Sequence, residues 1–236
     1  MPAIAEYDYS LILASQYPLE QSELFDALLA ELKPRIEPGW SLNPGALRSV
    51  VHAVERRMSA VERVCVVEFG AGVSTIFLRR YFGDQIDLLS IEHEPGWAAQ
   101  VEEECGAHVR LTPLVTYDDY WFTQWQDRSA AVESIRAHSH SVPMERNKDL
   151  SIPNCFYDLC LADVPDAHLY IVDGPHGNGR SIAFRYIAEV KSGRCQVLVD
   201  DANHYPFLYH CGRLLRYNVA AGEFLPGKRW CLLDVE

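Results

Sequence analysis

The chain has 236 residues, enough for an α/β core that needs no disulfide or metal staple. Its 33 acidic residues against 21 basic ones give a net charge of −12, which argues against nucleic acid or an anionic membrane as a partner and favours a small molecule or peptide. Seven scattered cysteines without a CxxC pair suggest neither a zinc ribbon nor a disulfide framework, and with no leader-like N-terminus and no apolar run near ~18 residues the expectation is a soluble cytoplasmic protein.

The first convincing helix runs from about Pro18 to Lys33, with Leu24, Leu28 and Leu32 at helical spacing and Pro34, Pro38 and Gly39 to end it. A second is expected from about Pro44 to Met58, with Leu47, Val50, Val51 and Val54 on one face and Asn43 as N-cap. Residues 1–60 therefore read as a helical preface packed on the edge of a sheet, and residues 61–236 as the main domain. From Val64 the pattern alternates: strand Val64 to Phe69, helix Ser74 to Tyr81, strand Asp87 to Glu92, helix Gly96 to Cys105 opened by Pro95, and a short strand His108 to Leu114. After a long interval come strand Leu169 to Val172, helix Arg180 to Val190, strand Gln196 to Val199 and helix Phe207 to Arg216. Two last strands, Asn218 to Phe224 and Arg229 to Val235, flank Pro226 and Gly227 as an antiparallel hairpin. Such alternation is the signature of a doubly wound, mostly parallel sheet covered on both faces.

The interval 115–168 is too long for a plain connection and reads as a substrate-side insertion or lid. It contains a polar helical stretch from Asp127 to Ala137. Its aromatics Tyr117, Tyr120, Trp121, Phe122 and Trp125 either wall an acceptor pocket or anchor the insertion to the domain. His138 and His140 lack metal-ligand spacing.

The chemistry centres on VCVVEFGAGVST, Val64 to Thr75, where an apolar strand enters a Gly70-Ala71-Gly72 turn and a helix opens at Ser74. Thr75 stands where the dinucleotide fingerprint wants a third glycine. Glu68, two residues before Gly70, would repel a pyrophosphate but suits a cationic amino group, as in S-adenosylmethionine. Glu92, 22 residues beyond Gly70 and followed by His93, is placed to accept both ribose hydroxyls. In order along the chain, EFGAGVST, SIEHEPGW and YIVDGPHG resemble a class I S-adenosylmethionine-dependent methyltransferase, over roughly Ser41 to Glu236. That resemblance implies a Rossmann-like seven-stranded sheet with an antiparallel seventh strand, Glu68 and the Gly70–Gly72 turn around the methionyl part, Ser74, Thr75 and His93 nearby, and Glu92 on the ribose. Asp118 or Asp119 is the candidate for the adenine.

Asp173, Asp200 and Asp201 end neighbouring parallel strands and should converge beside the cofactor. Three acids together need a shared proton or a cation, and a hard oxygen-liganded ion such as Mg²⁺ is one solution; the alternative is that Asp173 only starts a turn and that Asp201 or Asn203 caps the last helix. The pattern is similar to the catechol and macrocin O-methyltransferases, in which such acids hold an ion that orients a hydroxyl for methyl transfer. His176 stands where the catechol-type enzymes carry a proton-accepting lysine, with His204 as rival base. Arg180 either caps that loop or binds an anionic group. The reading is O-methylation of a small molecule, with a protein, peptide or nitrogen acceptor second and a homodimer open. A nicotinamide oxidoreductase and a non-catalytic nucleotide-binding module are the readings of another class.

Overall fold

The computed structural model describes residues 22–36, 42–146, 149, 152–225 and 228–236. Helix α1 (Glu23–Ile36) buries Phe25, Leu28, Leu32 and Ile36, whereas Leu24, expected on that face, is 49% exposed. Pro34 lies inside the last turn instead of ending the helix: the apolar stripe runs on to Ile36, and near the helix end the proline forfeits a single ladder bond. The expected start at Pro18 and the stops at Pro38 and Gly39 fall outside the described residues. Helix α2 (Pro44–Met58) is capped by Asn43, whose side chain accepts from the N–H groups of Gly45 and Ala46 at 2.9 and 3.1 Å. Its apolar stripe of Leu47, Val50, Val51 and Val54 is buried on the sheet, so this helix covers a face of the sheet and not its edge.

β1 (Val64–Phe69), α3 (Val73–Phe82), β2 (Ile86–Glu92), α4 (Pro95–Cys105) and β3 (Val109–Leu111) follow in strict alternation. The expected strand over 108–114 divides. Pro113 has no N–H to give to a ladder, and it separates β3 from β4 (Leu114–Thr116), which joins a second sheet. α5 (Asp119–Gln124), α6 (Val132–Arg136), β5 (His140–Ser141) and β6 (Cys155–Tyr157) make up the long interval, and the expected helix over 127–137 forms only across 132–136. β5, β4 and β6 pair antiparallel in that order. β7 (Leu169–Val172), α7 (Ala183–Val190), β8 (Cys195–Val199), α8 (Phe207–Leu214), β9 (Tyr217–Leu225) and β10 (Lys228–Val235) complete the chain; Pro226 and Gly227 lie outside the described residues.

The main sheet has seven strands in the order β3-β2-β1-β7-β8-β10-β9. The first five are parallel, and β10 runs antiparallel to both of its neighbours. Side chains alternate across it with period two. Val64, Val66, Leu169, Ile171 and Leu198 face the core under α1 to α4, while Val67, Phe69, Tyr170, Val172, Val197 and Val199 face the other way.

The long interval supplies much of that second core. Tyr117, Phe122 and Trp125 are buried in it, and Trp125 stacks on Tyr186 of α7 with ring centroids 5.5 Å apart. Arg185, 2% exposed, donates to the carbonyls of Asp127 and Ala130 at 2.7 and 2.6 Å and so pins the interval to α7. Of the five aromatics, Tyr120 stands out at 65% exposed, and half-buried Trp121 stacks on His138. The anchoring role therefore holds for Tyr117, Phe122 and Trp125. All seven cysteines are free thiols, and no helix among the described residues is long and apolar enough to cross a membrane.

Candidate active site

The turn after β1 is built from the inside. Gly70 has φ +101°, and a Cβ there would sit 2.6 Å from the backbone nitrogen of Gly174, so only glycine lets the turns after β1 and β7 touch. The N–H groups of Gly70 and Ala71 both donate to the Ile91 carbonyl, at 2.9 and 3.1 Å, and that of Gly72 donates to Thr75 Oγ1 at 2.9 Å. Thr75, where a third glycine is absent, thus caps the start of α3. Its hydroxyl then donates to Glu68 at 2.5 Å, joined by Ser90 at 2.7 Å and by Ser74. Burial pushes the Glu68 carboxyl above its ordinary range, against the pull of the three hydroxyls. With no exposed surface and both oxygens engaged, Glu68 lies behind the turn and not on the cleft, contrary to the place beside the methionyl part that the resemblance implied; Ser74 and Thr75 lie there with it. The tie spans two strands, so Ser90→Ala is expected to cost about 1–3 kcal/mol. The check is a lower denaturant midpoint with an unchanged slope.

In front of the turn, a cleft of about 520 Å³ opens at the carboxyl ends of β1, β2, β7 and β8. Gly70, Ala71 and Gly72 form its floor, and Glu92 and His93 line the β2 side. Glu92, 5% exposed, is fixed by accepting from the backbone N–H groups of His93 and Glu94 at 2.7 and 2.9 Å and stands 2.8 Å from His93 Nδ1. Trp97 leans over the turn, its indole N–H donating to the Ala71 carbonyl at 2.7 Å, with the Arg35 guanidinium over its ring. Beneath it Gly72 is bare backbone: a Cβ there would come no nearer than 3.9 Å to the indole nitrogen. Tyr157 of β6 closes the back, and burial keeps its phenol protonated.

The opposite wall carries Asp173, His176, Arg180, Asp200, Asp201, His204 and Arg229. Asp173 and Asp200, both half-buried, are hydrogen-bonded to each other; loss of solvation, then the mutual repulsion of the pair, raises Asp200 far above the ordinary range, and loss of solvation raises Asp173. Asp201 sits at φ +52° and pairs with Arg229 at 2.7 Å. Arg180, 4% exposed, donates to the carbonyls of Pro175 and Asp200, both at 3.2 Å, and its guanidinium stands 3.9 Å from Asp201. The loop-capping reading of Arg180 is the one the fold adopts. The three acids converge as expected, yet they do not fit a hard cation: two are bonded to each other, the third is ion-paired, and no group of three metal-ligating side chains forms among the described residues. Burial first, then the charges of Arg180 and His204, lower His176 below its ordinary 6.5, so its imidazole is neutral at pH 7. The His204 ring lies 6.1 Å from it.

Asp118 and Asp119 do not line the cleft; Asp119 accepts from Asn154 at 3.0 Å, and Asp118 stands 3.6 Å from His140. Trp97, Tyr157 and Arg229 were not singled out in the sequence. Trp97 closes the EHEPGW segment one turn past Glu92 and was within reach of inspection. Arg229 comes beside Asp201 only through the β10–β8 register, which pairs Cys231 with Val199.

The sheet is parallel but for the C-terminal strand β10, reversed between β8 and β9, with a glycine turn after β1 and an acid ending β2. The fold is that of the class I methyltransferases. No protein-family model and no curated protein matches the chain. Among solved structures it is similar to a TehB-like S-adenosylmethionine-dependent methyltransferase from Corynebacterium glutamicum, with 13% identity, TM-score 0.41, and 78% of this chain and 85% of that one covered. It is also similar to an O-methyltransferase from Bacillus cereus in complex with S-adenosylhomocysteine, at 10% identity, TM-score 0.46 and 94% of each chain. A third is a methyltransferase from Podospora anserina with S-adenosylhomocysteine bound, at 11% identity and TM-score 0.46, covering 92% of this chain and 89% of that one.

Proposed function

We propose that the chain transfers a methyl group from S-adenosylmethionine to a hydroxyl of a small molecule. The observation that carries this reading is the inward bonding of the glycine turn. A pyrophosphate-binding turn aims its N–H groups at the ligand, whereas here those of Gly70, Ala71 and Gly72 are spent on Ile91 and Thr75. The floor of the cleft therefore offers close approach without anion recognition, which disfavours a nicotinamide dinucleotide and suits a cationic sulfonium nucleoside. Bound there, S-adenosylmethionine supplies an activated methyl.

Gly70, Ala71 and Gly72 would bear its methionyl part under Trp97, and Glu92, held rigid by two backbone N–H groups, would accept the ribose hydroxyls, with His93 alongside. Across the cleft the neutral imidazole of His176 is the base that takes the acceptor's proton, and Asp173 borders the same space. A small molecule is the first acceptor class of this reading, and a peptide the second. The remaining task of the chain is to hold donor and acceptor in line and to exclude water.

The test is calorimetric titration with S-adenosylhomocysteine and, separately, NAD. Binding of the first and not the second is expected. In Glu92→Gln one oxygen still serves His93 and Glu94, but the charged acceptor for the ribose is lost. At roughly 1.5–3 kcal/mol for a hydrogen bond to a charged group, S-adenosylhomocysteine should bind about 10- to 100-fold more weakly, with the melting temperature little moved. NAD binding by the wild-type chain, or an unaltered affinity in Glu92→Gln, counts against the reading.

A further inference from the structure

Buried carboxylates need a compensating charge, and a divalent ion is one source of it. We propose that Arg180, together with Arg229, is a built-in counter-ion for the Asp173, Asp200 and Asp201 cluster, standing in the place of a divalent cation and leaving the site independent of metal. This deepens the reading of the cleft as a methyl-transfer site and rests on that reading for its bearing on catalysis.

The geometry is specific. The Arg180 side chain, 5% exposed, is held from three directions: Nε on the Pro175 carbonyl, Nη1 on the Asp200 carbonyl, and the guanidinium over the Phe207 ring at 5.6 Å. Its Nη1 faces Asp201 Oδ2 at 3.9 Å, while Arg229 Nη2 takes the other oxygen, Oδ1, at 2.7 Å. Asp201 is thus flanked by guanidinium on both oxygens. The contact between Asp173 and Asp200 engages one oxygen of each with the other. Mg²⁺ demands near-octahedral oxygen ligation at about 2.0–2.1 Å, and a guanidinium offers donors but no lone pair. A dication placed among these groups would also meet two fixed positive charges. Arginine keeps its charge at every pH a cell reaches, so this counter-ion is neither titrated nor chelated away. Arg180 is a positioning residue in this scheme: it fixes the ends of β7 and β8 and the loop that carries His176.

The test uses Mn²⁺ as a spin-active probe. Wild type, Arg180→Lys, Arg180→Met and Arg229→Gln are first melted to establish folding and titrated with S-adenosylhomocysteine, and Mn²⁺ is then followed by electron paramagnetic resonance. Wild type and Arg180→Lys are expected to leave Mn²⁺ free, and wild type to bind S-adenosylhomocysteine equally well in EDTA and in Mg²⁺. Removing a guanidinium, in Arg180→Met or Arg229→Gln, is expected to uncover a saturable Mn²⁺ site from which Mg²⁺ displaces the probe. Where Arg180→Met fails to fold, Arg229→Gln carries the test, since that side chain is 37% exposed. Wild-type Mn²⁺ binding that Asp200→Asn abolishes overturns the proposal, and so do folded guanidinium-deleted variants that bind none. Failure of wild type to bind S-adenosylhomocysteine sinks the methyltransferase reading instead and leaves the ion result standing.

Discussion

His176→Gln is expected to lower kcat for methyl transfer by about 10²–10⁴, the usual contribution of a positioned general base, while S-adenosylhomocysteine binds as in wild type. The half-buried side chain lines the cleft from the loop after β7, so the fold is expected to be little affected by the change. The pH profile separates a base from a mere contact. A base must be neutral to work, and burial, Arg180 and His204 all push His176 below 6.5. Wild-type activity should therefore be flat above that value and fall only as pH drops through the lowered folded-state pKa. Glutamine cannot titrate, so the limb should vanish along with most of the rate. His204→Gln, in the rival position, should keep the limb and shift it upward slightly, because one positive neighbour of His176 is gone. Tritium transfer to a panel of phenols and alcohols is the measurement; a preserved acid limb in His176→Gln would move the role to another group.

Gly179→Ala should be the most damaging added methyl group among the described glycines. A Cβ at Gly179 would lie 1.9 Å from the Cys155 carbonyl oxygen and 2.4 Å from its nitrogen, against backbone that cannot turn aside. The 178–182 turn would have to lift off β6, and the reciprocal contacts of Asn154 and Asn178, at 2.8 and 2.7 Å, would go with it. Overpacking costs about 1–3 kcal/mol when side chains can adjust; with backbone on both sides about 3 kcal/mol or more is expected, a fall in melting temperature of roughly 6–12 °C. Because the same turn positions His176 and Arg180, ligand affinity should fall as well. A thermal melt within a degree or two of wild type would show that the turn yields more easily than its contacts imply.

How much of this was legible in the sequence follows from the range of the interactions. β1, the glycine turn and Glu92 were readable because each is set by neighbours in sequence: an apolar run, two glycines, an acid ending a short strand. The inward aim of Glu68 was written there too, in its parity. Val64, Val66 and Glu68 share one face of the strand, and Val64 and Val66 face the core under α1 to α4. What could not be read was its company, since Ser90 becomes its neighbour through the β1–β2 register. The Arg229–Asp201 pair likewise needs the β10–β8 register. For a related reason the aromatics of the long interval could be read either as a pocket wall or as anchors: nothing local says that Trp125 stacks on Tyr186 or that Arg185 bonds the carbonyls of residues 127–130.

That interval has a bearing on how the proposed methyl-transfer site could change its acceptor. A segment that provides more than a third of one of the two hydrophobic cores cannot be exchanged like a cassette, because grafting another in its place transplants foundations as well as façade. One wall of the cleft is left to Gly174, Pro175, His176, Arg180, Asp201 and His204. New acceptor preferences in this scaffold should therefore arise from point changes along that wall, with the surrounding masonry left untouched.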